Sequence, residues 1–379
     1  MSTPQEAATN IANKVGHFFR YAFTTITIEG PKLDPEEIQR HAHMIVSTHR
    51  SHVDYFLAGW YMHSRGFKNM RFAAGSNLTN LPWIGSLFRG LGAFTVMREM
   101  AFERNYVQNL CNQVVGMMEN KDAVILFPEG GRSYSGAMLD LKSGILGAAI
   151  LLQARHPDDD VFLIPSAISY EYPPDAPWFD LLLKGKKLRR HNNNAMKRVI
   201  GTSWYYGADI LAFLPFVMAR RTGRQYGAVY MDYDAPLSVR AIVDVAALRA
   251  KEAKDEFFSH RAAMQQVAQI VRQRFLALFR LLPMHALATL IIRHGPLSAA
   301  QAVALIPGLM EELRSRGKNC RSLTALTPHD IVAKGRDQLL RLKALHQSGG
   351  VLFEKKGSVL RYCGAPVFDG EEKKTLGVV

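Results

Sequence analysis

The stretch Met44-Ile45-Val46-Ser47-Thr48-His49-Arg50-Ser51-His52-Val53-Asp54-Tyr55-Phe56-Leu57-Ala58-Gly59-Trp60-Tyr61-Met62 changes character in its middle. Met44 to Ser47 reads as the end of a buried strand, whereas Tyr55 to Met62 is too long and mixed for a strand and reads as a helix. Between them a histidine stands five residues before an aspartate. Polar strand-to-helix junctions are where α/β folds place reactive groups, and an imidazole held by a carboxylate is a ready general base. An i to i+5 pair inside one helix would point about 140° apart, so His49 must precede the helix and Asp54 lie in or near its first turn. A structural hydrogen-bonded pair at a helix start is the plainer reading of these two residues alone. His52 completes no standard zinc spacing, and no further ligand set accompanies it.

Outward from this junction, apolar runs alternate with helical patterns from about Pro31 to Leu237. Strands are expected at His43–Ser47, Arg71–Ala74, Ala93–Met97, Ala123–Phe127, Val161–Ser169 and Gly227–Asp232, and helices at Tyr55–Arg65, Ala101–Glu119 and Ser143–Ala154. The fold class is therefore α/β, a mixed and mostly parallel sheet flanked by helices. Beyond Pro236, Ala241 to Leu282 reads as nearly continuous helix, and Leu297 to Leu345 as short helices broken at Pro307 and Gly317. Val351–Phe353 and Val359–Tyr362 read as a hairpin joined by Glu354-Lys355-Lys356-Gly357. The expected organisation is an N-terminal amphipathic helix in 1–30, a catalytic domain over 31–240, and a helical, winged-helix-like C-terminal region over 241–379.

The chain of 379 residues suits one large α/β domain with a smaller appendage. Its 47 Lys and Arg against 33 Asp and Glu give a formal charge of +14, which calls for an acidic partner such as anionic lipid, nucleic acid or a phosphorylated substrate. Cys111, Cys320 and Cys363 form no metal spacing or disulfide framework and favour a reducing setting. Met1 to Gln5 lacks the features of a signal peptide. No stretch reads as a clean membrane span: Val199–Ala219 is interrupted by Gly, Asp and Pro, and Leu281–Ile292 is too short. Glu6–Thr25 is amphipathic and could pack on the domain or touch a membrane. Lys184–Arg198 carries seven basic residues and no acid, with aromatics on either side, which suits a solvated face or a headgroup interface.

Three later segments supply a substrate for the histidine. Leu91-Gly92-Ala93-Phe94-Thr95-Val96-Met97-Arg98 is a strand whose end projects an arginine. Phe127-Pro128-Glu129-Gly130-Gly131-Arg132-Ser133 ends a strand in a glycine pair, where backbone N–H groups can approach an anion and Arg132 can fork onto a phosphate. Leu163-Ile164-Pro165-Ser166-Ala167-Ile168-Ser169-Tyr170-Glu171 leads towards the same edge. In this order and spacing the four segments resemble the glycerolipid acyltransferase superfamily, with His49 to Asp54 matching its His-x4-Asp motif. The likeness extends over roughly Pro31 to Leu237 and is nearest to the bacterial membrane-bound glycerol-3-phosphate acyltransferases.

The resemblance implies that His49 is the base for a glycerol hydroxyl and Asp54 its orienting partner. It implies that Arg98, Arg132 and Lys142 bind the acceptor phosphate, that Glu129, Gly130, Gly131 and Ser133 shape that pocket, and that Pro165 forms the wall beside it. The substrates it implies are glycerol 3-phosphate and a fatty acyl group on coenzyme A or acyl carrier protein, with no other cofactor and no metal. The product would be lysophosphatidic acid, made at the cytoplasmic face of a membrane by a peripheral enzyme bound to anionic lipid. Lysophosphatidic acid and dihydroxyacetone phosphate are the alternative acceptors, and a basic nucleic-acid-binding protein is the alternative outside enzymes. Two positions depart from the family pattern. Arg98 is preceded by Met97 and followed by Glu99, and Tyr134 stands where a second arginine is usual.

Overall fold

The computed structural model describes residues 16–79, 84–90, 92–97, 100, 103–178, 218–223, 225–249 and 260–369. Lys184–Arg198, Arg98 and nearly all of Val199–Ala219 lie outside them. The larger sheet comprises β1 (Thr25–Glu29), β2 (Ala42–Ser47), β3 (Met70–Gly75), β4 (Ala93–Val96), β5 (Ala123–Leu126), β6 (Val161–Tyr170), β7 (Ala228–Tyr233) and the two-residue β8 (Leu237–Ser238). They lie in the order β1-β7-β6-β2-β5-β3-β4, with β8 on β6. Every pairing from β6 to β4 is parallel, as is β1 with β7; β7 and β8 run antiparallel to β6. The six strands expected from sequence are present, and β1 adds one where the N-terminal helical pattern had extended to Thr25.

The central strands β2, β5 and β6 are buried almost throughout and mostly apolar because both faces are covered. Met44 and Val46 of β2, Val124 and Leu126 of β5 and Leu163 of β6 share a core with α4 (Arg104–Glu119), α5 (Ser143–Arg155) and α6 (Arg261–Leu278). Ile45, Ile125 and Ile164, one residue out of phase, join the opposite core with α3 (Asp54–Ser64). Helix α1, at 16–22, packs there too: Phe19 meets the Trp60 ring at 5.8 Å, and Phe23, just beyond the helix, meets Tyr170 at 5.9 Å. Pro165 is tolerated inside β6 because its missing N–H faces the gap between β7 and β8, where Asp234 N–H bonds its carbonyl at 2.9 Å.

A third core is formed mainly by residues from Phe279 onward, joined by Tyr134, Ala167 and Ala176. It is built from α7 (Pro283–His294), α8 (Ala299–Ser315), α9 (Pro328–Arg341), α10 (Gly357–Phe368) and a three-stranded sheet, β10 (Leu345–Ser348) on β11 (Val351–Glu354) on β9 (Leu297–Ser298). Three sequence expectations are corrected here. The hairpin is β10–β11, turned by Gly349 and Gly350, both at positive φ as a tight two-residue turn requires; Val359–Tyr362 belongs instead to α10. Pro307 does not break a helix but lies inside α8, where buried Ile306, Leu309 and Met310 hold the turn through packing. The helix expected over Ala241–Leu282 is interrupted, since Asp244 accepts the Ala247 N–H at 2.9 Å and starts a new short helix, Val245–Arg249. Phe279–Leu282 is a further break, between α6 and α7.

Candidate active site

Parallel strands carry their reactive loops at their C-terminal ends, and the crevice opens where neighbouring connections leave in opposite directions. Here that place is the end of β2, whose chain crosses over to β3 on one side while β6 lies against it on the other. The loop from Thr48 to Val53 emerges there and is bound on all sides. Thr48 N–H bonds the Ser166 carbonyl at 3.1 Å, and Thr48 Oγ1 accepts the Ile168 N–H at 3.0 Å.

His49 is 2% exposed. Its Nδ1 lies 2.9 Å from Asp54 Oδ2, and its Nε2 lies 3.0 Å from the Tyr55 hydroxyl. Asp54 is the first residue of α3, so its carboxylate reaches back over the loop. Oδ2 also accepts the N–H groups of Arg50 at 2.6 Å and Ser51 at 2.8 Å, and Oδ1 accepts the Tyr170 hydroxyl at 2.5 Å. With only acceptor capacity on the carboxylate, Nδ1 carries the proton, and Nε2 is left to receive one. The ring is clamped between Phe127 and Tyr55, at centroid distances of 4.6 and 5.0 Å. Burial, joined by the charge and hydrogen bond of Asp54, holds the Tyr170 phenol well above its ordinary pKa, so it stays a donor.

Glu129, reached from β5, is also buried. Oε1 accepts the His49 N–H and Oε2 the Leu139 N–H, each at 2.9 Å. Burial raises its pKa, while the Arg50 charge and these two N–H groups oppose the rise. Gly130 takes φ +65, a conformation that favours glycine, and lies against the side chain of Lys142. Lys142 itself is exposed at the head of α5, its N–H bonding the Pro128 carbonyl at 2.7 Å. A Cβ at Gly131 would meet nothing nearby. Ser133 Oγ donates to Ala137 O at 2.5 Å, which places it in the loop rather than in the crevice. Pro165 is buried in β6, opposite Val46.

Arg132 is only 4% exposed and already engaged. Its Nη1 bonds Asp175 Oδ2 at 2.5 Å and its Nη2 bonds the Tyr134 hydroxyl at 2.6 Å. Asp175 also takes the His52 N–H and the Ser51 hydroxyl, at 3.3 and 3.4 Å. Tyr134 therefore replaces a cation with a phenol that steadies Arg132. Sequence reasoning missed Tyr55, Tyr170 and Asp175. Tyr55 and Tyr170 lie within a helical and a strand pattern that do not mark them as site residues; Asp175 sits in a proline-rich turn with no periodicity to mark it.

Residues 29–169 match the family model described as Acyltransferase. Similar curated proteins include the glycerol-3-phosphate acyltransferase of Xanthomonas axonopodis pv. citri, 34% identical over 131 residues, covering 35% of this chain and 15% of the relative. That of Alteromonas mediterranea is 27% identical over 216 residues, covering 57% of this chain and 24% of the relative. That of Hamiltonella defensa is 27% identical over 204 residues, covering 54% and 22%. The chain thus spans less than a quarter of the length of each of these relatives.

Proposed function

Because residues 29–169 match the Acyltransferase family model, we propose that the chain is a glycerolipid acyltransferase that transfers a fatty acyl group from a coenzyme A or acyl carrier protein thioester to the sn-1 hydroxyl of glycerol 3-phosphate. The observation that carries this reading is the His49–Asp54 pair, with the main chain of His49 fixed by Glu129. His49 Nε2 takes the proton of the hydroxyl as its oxygen attacks the thioester carbonyl. Asp54 stabilises the imidazolium that forms. The tetrahedral adduct then expels the thiolate, which takes the proton from His49, and the ester product leaves. For Nε2 to receive the substrate hydroxyl, the Tyr55 O–H must give up its place on that nitrogen.

In this reading Lys142 and Arg98 are the cations for the acceptor phosphate. Arg132 steadies the pocket through Asp175, which binds the loop at Ser51 and His52. Gly130 and Gly131 give the phosphate close approach to the backbone, and Pro165 backs the wall. We place the catalytic unit on the sheet and the remaining helices and hairpin in a C-terminal region, and we place the protein at the cytoplasmic face of a membrane. The support for that location is the charge of +14 and the basic Lys184–Arg198 run. Among the described residues no helix is long and apolar enough to cross a membrane.

An acceptor panel with palmitoyl-coenzyme A as donor tests the assignment. Glycerol 3-phosphate is expected to yield a lysophosphatidic acid, ahead of dihydroxyacetone phosphate and lysophosphatidic acid as acceptors. Preference for either of those would move the substrate. No lipid product at all, with tight salt-sensitive DNA binding, would remove the enzyme reading.

A further inference from the structure

The acid that holds the main chain of His49 is itself held from the far end of the chain. Glu129 joins the His49 N–H to the Leu139 N–H. One residue earlier, the Met138 N–H donates to both carboxylate oxygens of Asp369, at 2.9 Å each. Asp369 closes the C-terminal end of α10, and its carbonyl accepts Lys318 Nζ at 2.6 Å. The same loop is pinned twice more from outside the family match. Arg272 of α6 donates to the Leu139 carbonyl at 3.1 Å. Gly136, at φ +83, runs so close to the main chain of Tyr362 that no Cβ could be accommodated. Gly136 in turn gives its carbonyl to Arg50 Nη1 at 2.9 Å, and the Arg50 guanidinium lies 4.8 Å from the centre of the Phe279 ring. The 136–139 loop therefore grips the reactive loop at two successive residues, His49 through Glu129 and Arg50 directly. On its other side it is gripped by α6 and α10.

We propose that Asp369 is a positioning residue for the reaction: it fixes the 136–139 loop and, through Glu129, the main chain of His49, so that the C-terminal region forms part of the catalytic apparatus. This rests on the acyl-transfer reading above. A base must stand within hydrogen-bond reach of the proton it takes, and a displacement of about 1 Å can cost roughly 100-fold in rate. Asp369 has no part in holding the phosphate in that reading, so its loss acts on the chemical step rather than on ground-state binding.

The test compares Asp369→Ala, Asp369→Asn and Asp369→Glu in the full chain with Leu352→Ala. Leu352 is buried in the C-terminal core, remote in sequence from the 136–139 loop. Each variant is read by kcat and KM per folded molecule and, without substrate, by the NMR resonance of the His49 Nδ1 proton. Asp369→Ala is expected to lower kcat by about 10- to 100-fold with both KM values within about 2-fold. Asp369→Asn keeps an oxygen for the Met138 N–H and is expected to stay within about 3-fold of the parent. Asp369→Glu keeps the charge but moves the acceptors by one methylene, so kcat falls while the fold is retained. Leu352→Ala is expected to lower Tm and leave kcat unchanged. The His49 resonance should move in the Ala and Glu variants only.

Parent-like kcat and an unmoved resonance in both Asp369→Ala and Asp369→Glu would overturn the inference. So would a loss of kcat per folded molecule in Leu352→Ala as large as that in Asp369→Ala. Should the parent make no acyl product, the acyl-transfer reading fails separately, and the resonance alone decides the positioning role.

Discussion

Two buried pairs stand side by side in the crevice, and each contains an aspartate that grips the same short loop. Asp54 pairs with His49 and takes the N–H groups of Arg50 and Ser51; Asp175 pairs with Arg132 and takes the His52 N–H and the Ser51 hydroxyl. The loop is thus held from two sides by similar chemistry. What differs is the partner. Imidazole can accept and release a proton, whereas guanidinium stays charged at any pH the protein meets. In the proposed reaction the first pair moves a proton at Nε2, and the second stays as it is. A buried charged pair is therefore not in itself a sign of catalysis, and the partner's chemistry separates the reactive pair from the supporting one.

The sharpest way to break that comparison is to remove the base. His49→Ala is expected to lower kcat by about 10²- to 10⁴-fold, the usual share of general base catalysis, with the fold intact by circular dichroism. Asp54→Asn should follow at about 100-fold, because a buried carboxylate no longer favours the imidazolium. In the second pair the loss should appear as stability. Arg132→Ala leaves Asp175 buried and uncompensated and is expected to cost about 3–5 kcal/mol in urea unfolding. The double variant Arg132→Met, Asp175→Leu should recover most of that loss. An acceptor KM that rises steeply in Arg132→Met, Asp175→Leu while stability recovers would instead give Arg132 to the phosphate.

Smaller effects sharpen the picture at its edges. Tyr55→Phe removes the hydroxyl that competes with substrate for Nε2, a bond worth about 1 kcal/mol, and is expected to raise kcat/KM by up to about 5-fold; a 10-fold fall would mean that Tyr55 relays the proton. His285, at the start of α7, accepts the Leu282 N–H through Nδ1 at 2.8 Å. Burial first, and the Arg50 charge second, push its pKa down to about 3. Between pH 6.5 and 3 the unfolded chain binds a proton there that the native state refuses, so stability falls as pH drops through that window, by at most about 1.4 kcal/mol per pH unit. His285→Gln keeps an acceptor for the N–H and should flatten this dependence in thermal melts taken from pH 7 to 5.

Much of this was legible in the chain because it is local. The apolar run Met44-Ile45-Val46 reads as a buried strand from sequence alone, and His49 with Asp54 lie within six residues of each other. What the sequence did not disclose is mostly contact made at long range. Asp175 reaches the loop across more than a hundred residues from a turn without pattern. Asp369 reaches Met138 from the last described helix, and no local rule links them. Tyr134 was legible as a departure from the family, but its consequence, a phenol bonded to Arg132, needs the fold. The hairpin lies one element earlier than the Glu354–Gly357 turn suggests, because Gly349 and Gly350 can take the positive φ that a two-residue turn needs.

The most direct test of the account is the initial rate of acyl transfer from palmitoyl-coenzyme A to glycerol 3-phosphate, measured side by side for the parent and His49→Ala. The account predicts a lysophosphatidic acid from the parent and a rate at least about 100-fold lower from a folded variant. Equal rates from the two proteins would contradict it.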